Sequence, residues 1–251
     1  LWLKYYLYFL EKGLQKNGEI ITITHFSKMR LHQLPPFKSI PIQVVYQASG
    51  LSKNFAHSDL QSTTQSPYFL HVGVLEKRKN LSLLIQAFDK LTKMEGYESL
   101  RLVLVGQRGP RETLDDYDHL VDLVASLGLT DQVDFTGYVS QEQLASYFQH
   151  ALGYVFPSTN EGFGLPVLEA FSFGLPVIIS RQGALMEVAG DAALILKKNE
   201  EEALIQSMKL LVDDPDLRKE LGEKGSIRLQ EFSAEKFYLS LEQAFKEILK
   251  R

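Results

Sequence analysis

The sequence predicts an α/β protein in which helices flank a parallel β-sheet. From Pro67 onward, short apolar segments rich in β-branched residues alternate with amphipathic segments of helical length, which is typical of βαβ units and hence of parallel sheets. The composition agrees, since 45% of the 251 residues are hydrophobic and 23% are charged, as in globular proteins. Because such sheets bind ligands at the carboxyl ends of their strands, we expect the functional site in the loops that follow them.

The chain begins with a predicted helix over residues 1–17, where leucines recur at spacings of three and four. Its aromatic content leaves two interpretations open. One is a helix packed on a partner domain, and the other is a peripheral helix on a membrane surface with its lysines at lipid phosphates. Strands are predicted over 19–24 and 42–46, and the polar segment 52–66 has the composition of a linker.

The regular part of the pattern starts at residue 67. The predicted strands cover residues 68–72, 100–105, 133–135, 152–156, 177–180 and 193–196. The predicted helices cover residues 80–92, 111–127, 141–149, a segment that begins at Pro166, and residues 184–188, 200–212, 215–229 and 234–250.

The most informative segment is VFPSTNEGFGLPVLEA, residues 155–170, which combines a strand end, a glycine turn and a helix start. Gly162 and Gly164 flank Phe163, so the backbone can adopt positive φ and approach a ligand closely. Pro166 suits the first turn of a helix, where its missing N–H is not needed. Because a helix that begins behind such a turn presents N–H groups and a positive dipole end, the segment predicts a diphosphate site.

Two carboxylates, Glu161 and Glu169, lie on either side of this turn. Carboxylates only accept hydrogen bonds, whereas hexose and ribose offer hydroxyl donors. One interpretation therefore places a carboxylate at each sugar of a nucleoside diphosphate sugar. The alternative is a strand–turn–helix unit with two solvated glutamates.

Cations follow the first strand of the regular part. Gly73 ends that strand, and Lys77, Arg78 and Lys79 are consecutive in the loop behind it. Placed at the carboxyl end of a parallel strand, these cations would neutralise a diphosphate and the charge that grows on it as a leaving group. A solvated charge run is the alternative.

Weaker signals follow the next two strands. Gly106 begins the turn GQRG, which fits a loop beneath a nucleotide but equally a simple turn. Tyr138 and Val139 follow the third strand; Tyr138 is interpreted either as a stacking partner for a base or as a surface aromatic residue. His71 lies inside the first strand and is predicted to be a packed core residue.

The segment NEGFGLPVLEAFSFGLPVIIS resembles the nucleotide-sugar motif of the retaining glycosyltransferases of family four, which have the GT-B fold of two Rossmann-like domains. The resemblance implies that residues 67–232 form the donor-binding domain and residues 1–60 are a remnant of the acceptor-side domain with its linker. It also implies that the last helix, within residues 233–251, crosses back to the first domain. An ordinary core helix of the second domain is the alternative for that segment.

The resemblance also implies roles for single residues. Glu161 is expected at the sugar hydroxyls and Glu169 at the ribose, while the backbone of Gly162, Phe163, Gly164 and Leu165 contacts phosphate and hexose. Arg78 and Lys79 match the arginine–lysine pair beside the donor phosphates. Catalysis is therefore assigned to Glu161, Lys79 and Arg78, and Gly73, Gly106 and the Tyr138–Val139 turn are assigned to donor binding.

Two details refine the resemblance. Val74 stands where many members carry a further arginine. The segment GALMEVAGDAAL, which begins at Gly183, resembles the mannosyltransferase-like branch and favours GDP-mannose over a UDP-sugar as donor.

Several classes of function are excluded or disfavoured by composition. The chain has no cysteine, which excludes disulfides and thiolate chemistry, and its net charge of -4 gives no support to a nucleic-acid partner. The six histidines show no metal-ligand spacing, so we expect neither a metal nor a cofactor besides the donor substrate. No apolar segment approaches the length of a membrane span.

The sequence thus predicts a cytoplasmic retaining hexosyltransferase, acting in solution or at the cytoplasmic face of a membrane. It would move a mannose- or glucose-type hexose from a nucleoside diphosphate sugar to a saccharide or lipid-linked saccharide. One alternative is a non-catalytic nucleotide-sugar-binding half that needs a separate acceptor domain. Another is an epimerase or phosphorylase of the same fold.

Overall fold

The computed structural model describes residues 12–13, 18–49, 66–109 and 111–249. Two compact units divide the chain, one formed by Gly50–Gln230 and the other by Leu1–Ser49 together with Glu231–Arg251. Most of the predicted linker and most of the predicted first helix lie outside the described residues.

In chain order the elements are β1 (Ile20–Thr22), α1 (His25–His32), β2 (Ile42–Val44), β3 (Tyr68–Val72), α2 (Leu81–Thr92), β4 (Arg101–Val105), α3 (Tyr117–Leu127), β5 (Val133–Gly137), α4 (Gln141–His150), β6 (Gly153–Phe156), α5 (Leu165–Ser172), β7 (Val177–Ile179), α6 (Leu185–Ala189), β8 (Leu194–Ile195), α7 (Glu201–Asp213), α8 (Pro215–Leu229) and α9 (Ala234–Leu249). Short 3-10 turns cover Pro35–Phe37, Lys77–Lys79 and Gln230–Phe232.

The larger unit is built on a parallel sheet whose strands lie in the order β5-β4-β3-β6-β7-β8. This confirms the predicted α/β class with a parallel sheet flanked by helices. The chain runs from β3 outward through β4 and β5, then returns to β6 and continues in the opposite direction. The loops after β3 and β6 therefore diverge at a topological switch point, where open parallel sheets leave a crevice for a ligand.

The core explains why the strands are apolar along their whole length. Helices cover both faces of a parallel sheet, so its inner strands have no solvent face, and every residue of β6 is buried. On one face, α2 presents Leu84, Ile85 and Phe88, which are fully buried, and it packs against α7. Burial of side chains of this size contributes about 1.5–3 kcal/mol each.

Two elements differ from the sequence prediction. The helix expected over 111–127 begins only at Tyr117, because the preceding residues form a turn. In that turn Asp115 accepts a hydrogen bond from the N–H of Gly109, and the N–H of Asp116 donates to the carbonyl of Leu75. Helix α1 is not predicted by the sequence, since its residues lack an amphipathic pattern. Its N-cap, Thr24, falls within the strand that the sequence predicts over residues 19–24.

The smaller unit contains the parallel pair β1–β2 and helix α9. Tyr46 packs edge-on against Phe232, with ring centroids 5.4 Å apart, and the side chain of Gln43 donates to the carbonyl of Ala244. Ser233 caps α9 by accepting from the N–H of Lys236 at 3.2 Å. Within the residues described, no helix is both long and apolar enough to cross a bilayer.

Candidate active site at the switch point

Two loops meet at the switch point, residues 73–80 after β3 and residues 157–164 after β6. They are joined by direct hydrogen bonds, because the N–H of Thr159 donates to the carbonyl of Arg78 at 2.8 Å and the side-chain amide of Asn80 donates to the carbonyl of Pro157 at 3.4 Å. Asn80 has a φ of 56°, in the left-handed region that asparagine tolerates, which turns the first loop sharply into α2. The two loops therefore hold each other in place.

Three predicted residues meet between these loops. One carboxylate oxygen of Glu161 accepts from Arg78 Nη1 at 2.7 Å and from Lys79 Nζ at 2.7 Å. Arg78 also donates through Nε to Glu76 at 2.8 Å. The side chains of Lys79 and Glu161 are nearly buried, at 7% and 10% exposure, whereas that of Arg78 is 42% exposed. The tertiary fold thus gathers two cations and a carboxylate into one charged cluster.

The surroundings of Lys79 are partly aromatic. Its ammonium nitrogen lies 4.5 Å from the centroid of the Phe156 ring, at the end of β6. Burial lowers the pKa of Lys79, while the nearby Glu161 carboxylate opposes that change. Arg78 is more exposed. Its partial burial lowers its pKa, but the carboxylates of Glu161 and Glu76 have the larger combined effect and raise the pKa of Arg78. Both side chains can therefore present positive charge to an anion at the mouth of the crevice.

The glycine turn lies where the sequence predicts it. Gly162 is exposed, and Phe163 is buried to 4% exposure, so any contact from Phe163 to a ligand comes through its backbone. Gly164 has a φ of 105° and caps α5, which begins at Leu165 rather than at Pro166. The turn therefore places the amino end of α5 directly behind Glu161.

Gly183 packs against the backbone of the glycine turn at Glu161, a contact that the sequence did not predict. Gly183 has a φ of 68°, and a Cβ on it would lie only 2.5 Å from the backbone nitrogen of Glu161. The next residue, Ala184, donates its N–H to the carbonyl of Glu161 at 2.9 Å. The sequence marked Gly183 only as part of a donor-specific segment, because its contact with Glu161 is made across the fold.

Glu169 lies in the second turn of α5 and is partly buried. Burial raises the pKa of its carboxyl group. In the described part of the chain no hydrogen bond or ion pair reaches that carboxylate. Beneath it, the buried Tyr154 donates its hydroxyl to the carbonyl of Val72 at 3.2 Å, and burial together with Glu169 and Glu161 raises the pKa of Tyr154.

The remaining predicted residues lie at the same edge of the sheet. The N–H of Gly73 donates to the carbonyl of Val105 at 2.9 Å, and a Cβ on Gly106 would lie 1.8 Å from the carbonyl oxygen of Gly73. The ends of β3 and β4 therefore approach this closely because Gly106 has no side chain. Tyr138 is 79% exposed after β5, and with Val139 it lines a cavity of about 660 Å³.

A parallel sheet with helices around it, and a charged cluster at its switch point, defines this chain as an α/β protein with the layout of a nucleotide-binding domain. Residues 52–228 match the family described as glycosyl transferases group 1. The chain belongs to that family.

Relatives of known name agree with this assignment. O-antigen chain mannosyltransferase B of Escherichia coli is 30% identical over 239 residues, which cover 90% of this chain and 61% of that protein. O-antigen chain mannosyltransferase RfbU of Salmonella typhimurium is 28% identical, over 84% of this chain and 56% of that protein. The chain thus spans about 60% of the length of these relatives.

Solved structures extend the agreement to the fold. Sucrose-phosphate synthase from Thermosynechococcus elongatus superposes with a TM-score of 0.82 at 25% identity, over 98% of this chain and 62% of that one. Anabaena HepE in complex with UDP and glucose gives a TM-score of 0.76 at 19% identity, over 91% of this chain and 62% of that one. The fold is that of the GT-B glycosyltransferases.

Proposed function

We propose that this chain binds a nucleoside diphosphate sugar at the switch point and takes part in transfer of its hexose to a hydroxyl of a saccharide or lipid-linked saccharide. The observation that carries the proposal is the cluster of Arg78, Lys79 and Glu161, in which one carboxylate oxygen holds two cations at 2.7 Å. Before a ligand binds, that carboxylate offsets part of the positive charge that a diphosphate would neutralise.

Each member of the cluster has a distinct part in the proposed reaction. The diphosphate takes the place of Glu161 at Arg78 and Lys79, which stabilise the charge that develops as the bond between sugar and phosphate breaks. Glu161, released from the cations, accepts hydrogen bonds from sugar hydroxyls and orients the hexose. It is not assigned as a nucleophile. Glu169 accepts from the ribose hydroxyls, since its carboxylate has no other hydrogen-bond donor in the described residues.

The finer assignments follow from the relatives and the sequence motifs. Two relatives are named mannosyltransferases, and the segment at Gly183 resembles the mannosyltransferase-like branch, which together favour GDP-mannose. The retaining outcome is proposed from the motif at Glu161. We propose that no metal takes part, because Arg78 and Lys79 supply the positive charge. We also propose that the protein is cytoplasmic, and that it acts at the cytoplasmic face of the membrane if its acceptor is lipid-linked.

A second candidate is a donor-binding half that needs a separate acceptor domain. The chain covers 61% and 56% of the length of the two mannosyltransferase relatives. Measuring sugar transfer by the chain alone, and then with an added acceptor-side domain, separates the two. Transfer only in the second case supports the binding half.

The proposed function is tested by a thermal-shift panel of GDP-mannose, UDP-glucose, UDP-N-acetylglucosamine and ADP-glucose. A ligand at one hundred times its Kd should stabilise the folded chain by about 2.7 kcal/mol. We expect GDP-mannose to give the largest shift, and Arg78→Met to reduce it, because that variant removes a cation that would bind the diphosphate. No shift with any of the four compounds would reject the proposal.

A further inference from the structure

His71 in strand β3 is a buried histidine with one unused nitrogen. Its Nδ1 lies 2.9 Å from the carbonyl oxygen of Val155, and because a carbonyl only accepts, Nδ1 carries the proton. The ring stacks on Tyr154, with ring centroids 6.1 Å apart and planes 14° from parallel. Nε2 is therefore an acceptor, and among the described residues it has no hydrogen-bond partner. Buried polar atoms of this kind call for an explanation.

The unused nitrogen faces the same small space as the ammonium group of Lys79. A Cβ on Gly73 would lie 3.6 Å from His71 Nε2 and 3.5 Å from Lys79 Nζ, so both atoms border the gap that the glycine leaves. An ammonium group carries three N–H donors. In the described part of the chain, Glu161 accepts from Nζ at 2.7 Å and no second acceptor is bound to it.

The charge state of His71 suits it to hold a cation. Burial lowers the pKa of His71 to about 3, with a further decrease from the charge of Lys79, so the ring is neutral near pH 7. A neutral acceptor binds an ammonium group without cancelling its charge, whereas a second carboxylate would cancel it. The charged groups that act on Lys79 are Glu161, Arg78 and Glu76.

We propose that His71 is a positioning residue for Lys79, its Nε2 accepting a hydrogen bond from the ammonium group directly or through one water. The contact matters most when Glu161 leaves Lys79 for the sugar, because the ammonium group then keeps an acceptor on its buried side while it faces the diphosphate. This role in transfer rests on the proposed function. The contact itself does not, and it can be tested without any substrate.

Two variants separate the proposed contact with Lys79 from the contact with Val155. His71→Gln places an amide oxygen near the position of Nε2 and loses the donor to Val155. His71→Asn keeps an amide donor near the position of Nδ1 and loses the acceptor that faces Lys79. A role limited to the hydrogen bond with Val155 predicts that the asparagine variant resembles the unchanged chain, whereas the positioning role predicts that the glutamine variant does.

The readout is the pKa of Lys79, followed through its side-chain nitrogen-15 resonance, which is assigned with Lys79→Arg. A hydrogen bond to the charged form raises a pKa, so its loss in His71→Asn should lower the pKa of Lys79 by about one unit. His71→Gln should leave it within a few tenths of a unit. Lys93, which pairs with Asp89 away from the site, is the internal control in each spectrum. An unchanged Lys79 in His71→Asn would overturn the proposal.

A measurement on the unchanged chain covers the case in which the variants misfold. With nitrogen-15 in its histidines, the Nε2 resonance of His71 should be that of a hydrogen-bonded acceptor, and it should move in Lys79→Met. If the Nε2 resonance is that of a nitrogen without a hydrogen bond, and if it does not shift in Lys79→Met, the contact is contradicted. Titration of the same sample with GDP tests the proposed function separately, since the failure of GDP to bind leaves the His71–Lys79 result standing.

Discussion

Glu161 connects the two loops of the site through a single oxygen atom. That oxygen accepts from both Arg78 and Lys79, and Glu76 also accepts from Arg78, so two carboxylates balance the two cations. In the proposed function, a diphosphate exchanges places with a carboxylate at the two cations, so its binding would be a competition between anions. The free-energy cost of separating Glu161 from each cation depends on how far that cation is shielded from water. Buried charge pairs are costly to break, and exposed ones are not.

The two cations should therefore separate stability from binding. Lys79→Met leaves the nearly buried Glu161 with Arg78 alone, and we expect a loss of about 3 kcal/mol in the free energy of unfolding. Arg78→Met removes a side chain that is 42% exposed and should cost at most about 1 kcal/mol. Both should weaken GDP binding roughly tenfold or more. Urea unfolding and calorimetric titration measure the two effects, and equal losses of stability would contradict the difference in burial.

Glu169 gives a prediction that depends on pH. Burial raises its pKa in the folded chain above that of the unfolded chain, so its charged form costs stability above the raised pKa. The cost disappears at acid pH, where both states are protonated. Glu169→Gln should therefore raise the melting temperature at pH 7, by less as the pH falls towards 4. It should also weaken nucleotide binding about tenfold, because the ribose loses a charged acceptor. A lower melting temperature at pH 7 would show that the carboxylate stabilises the fold.

Among the elements, the loop between β7 and α6 determines where Glu161 lies. Gly183 and Ala184 contact the backbone of Glu161 from below, through a close approach and a hydrogen bond. Helix α8 supports the same region, since Arg228 donates to the carbonyls of Val188 and Glu187 at the end of α6. The active-site turn is thus held by elements that carry no predicted catalytic residue.

Gly183→Ala tests that support. Its Cβ would meet the Glu161 backbone at 2.4–2.5 Å, so we expect a loss of about 3 kcal/mol in stability and weaker GDP binding. Gly128→Ala is the matched control, because Gly128 has a similar φ of 74° with no atom within 4 Å of the added Cβ. Backbone strain alone should cost the control about 1 kcal/mol. Similar losses of stability and binding in the two variants would show that the contact with Glu161 is unimportant.

In the whole molecule, the described residues of the two units differ in the amount of core that they build. The larger unit buries the strands of a six-stranded sheet between helices, whereas the smaller contains a two-stranded pair with mostly half-buried residues. A two-stranded pair is only marginally stable on its own. Backbone hydrogen bonds that are less buried also open more readily.

Hydrogen exchange should therefore be slowest in β3 and β6 and faster in β1 and β2. Binding of GDP should slow exchange in residues 73–80 and 157–165, because these loops line the proposed site. Mass spectrometry of the exchanged peptides measures both effects. Protection confined to the smaller unit would place the nucleotide elsewhere.

The sequence by itself determined the α/β class, the parallel sheet and most helix and strand bounds, because apolar periodicity and glycine or proline breaks are local properties. It also pointed to Arg78, Lys79 and Glu161 as partners in one site, since loops after parallel strands share an edge. The late start of α3 was not predicted, because Asp115 and Asp116 make turn contacts with residues that local periodicity does not report.

Only the tertiary structure decided the contacts between distant segments. It showed that one oxygen of Glu161 binds both cations, that Gly183 lies beneath the Glu161 backbone, and that His71 and Lys79 border the gap at Gly73. These contacts join residues far apart in the chain, so no local pattern carries them. The physical reason is that burial and hydrogen-bond geometry at the switch point are set by how the two loops pack together.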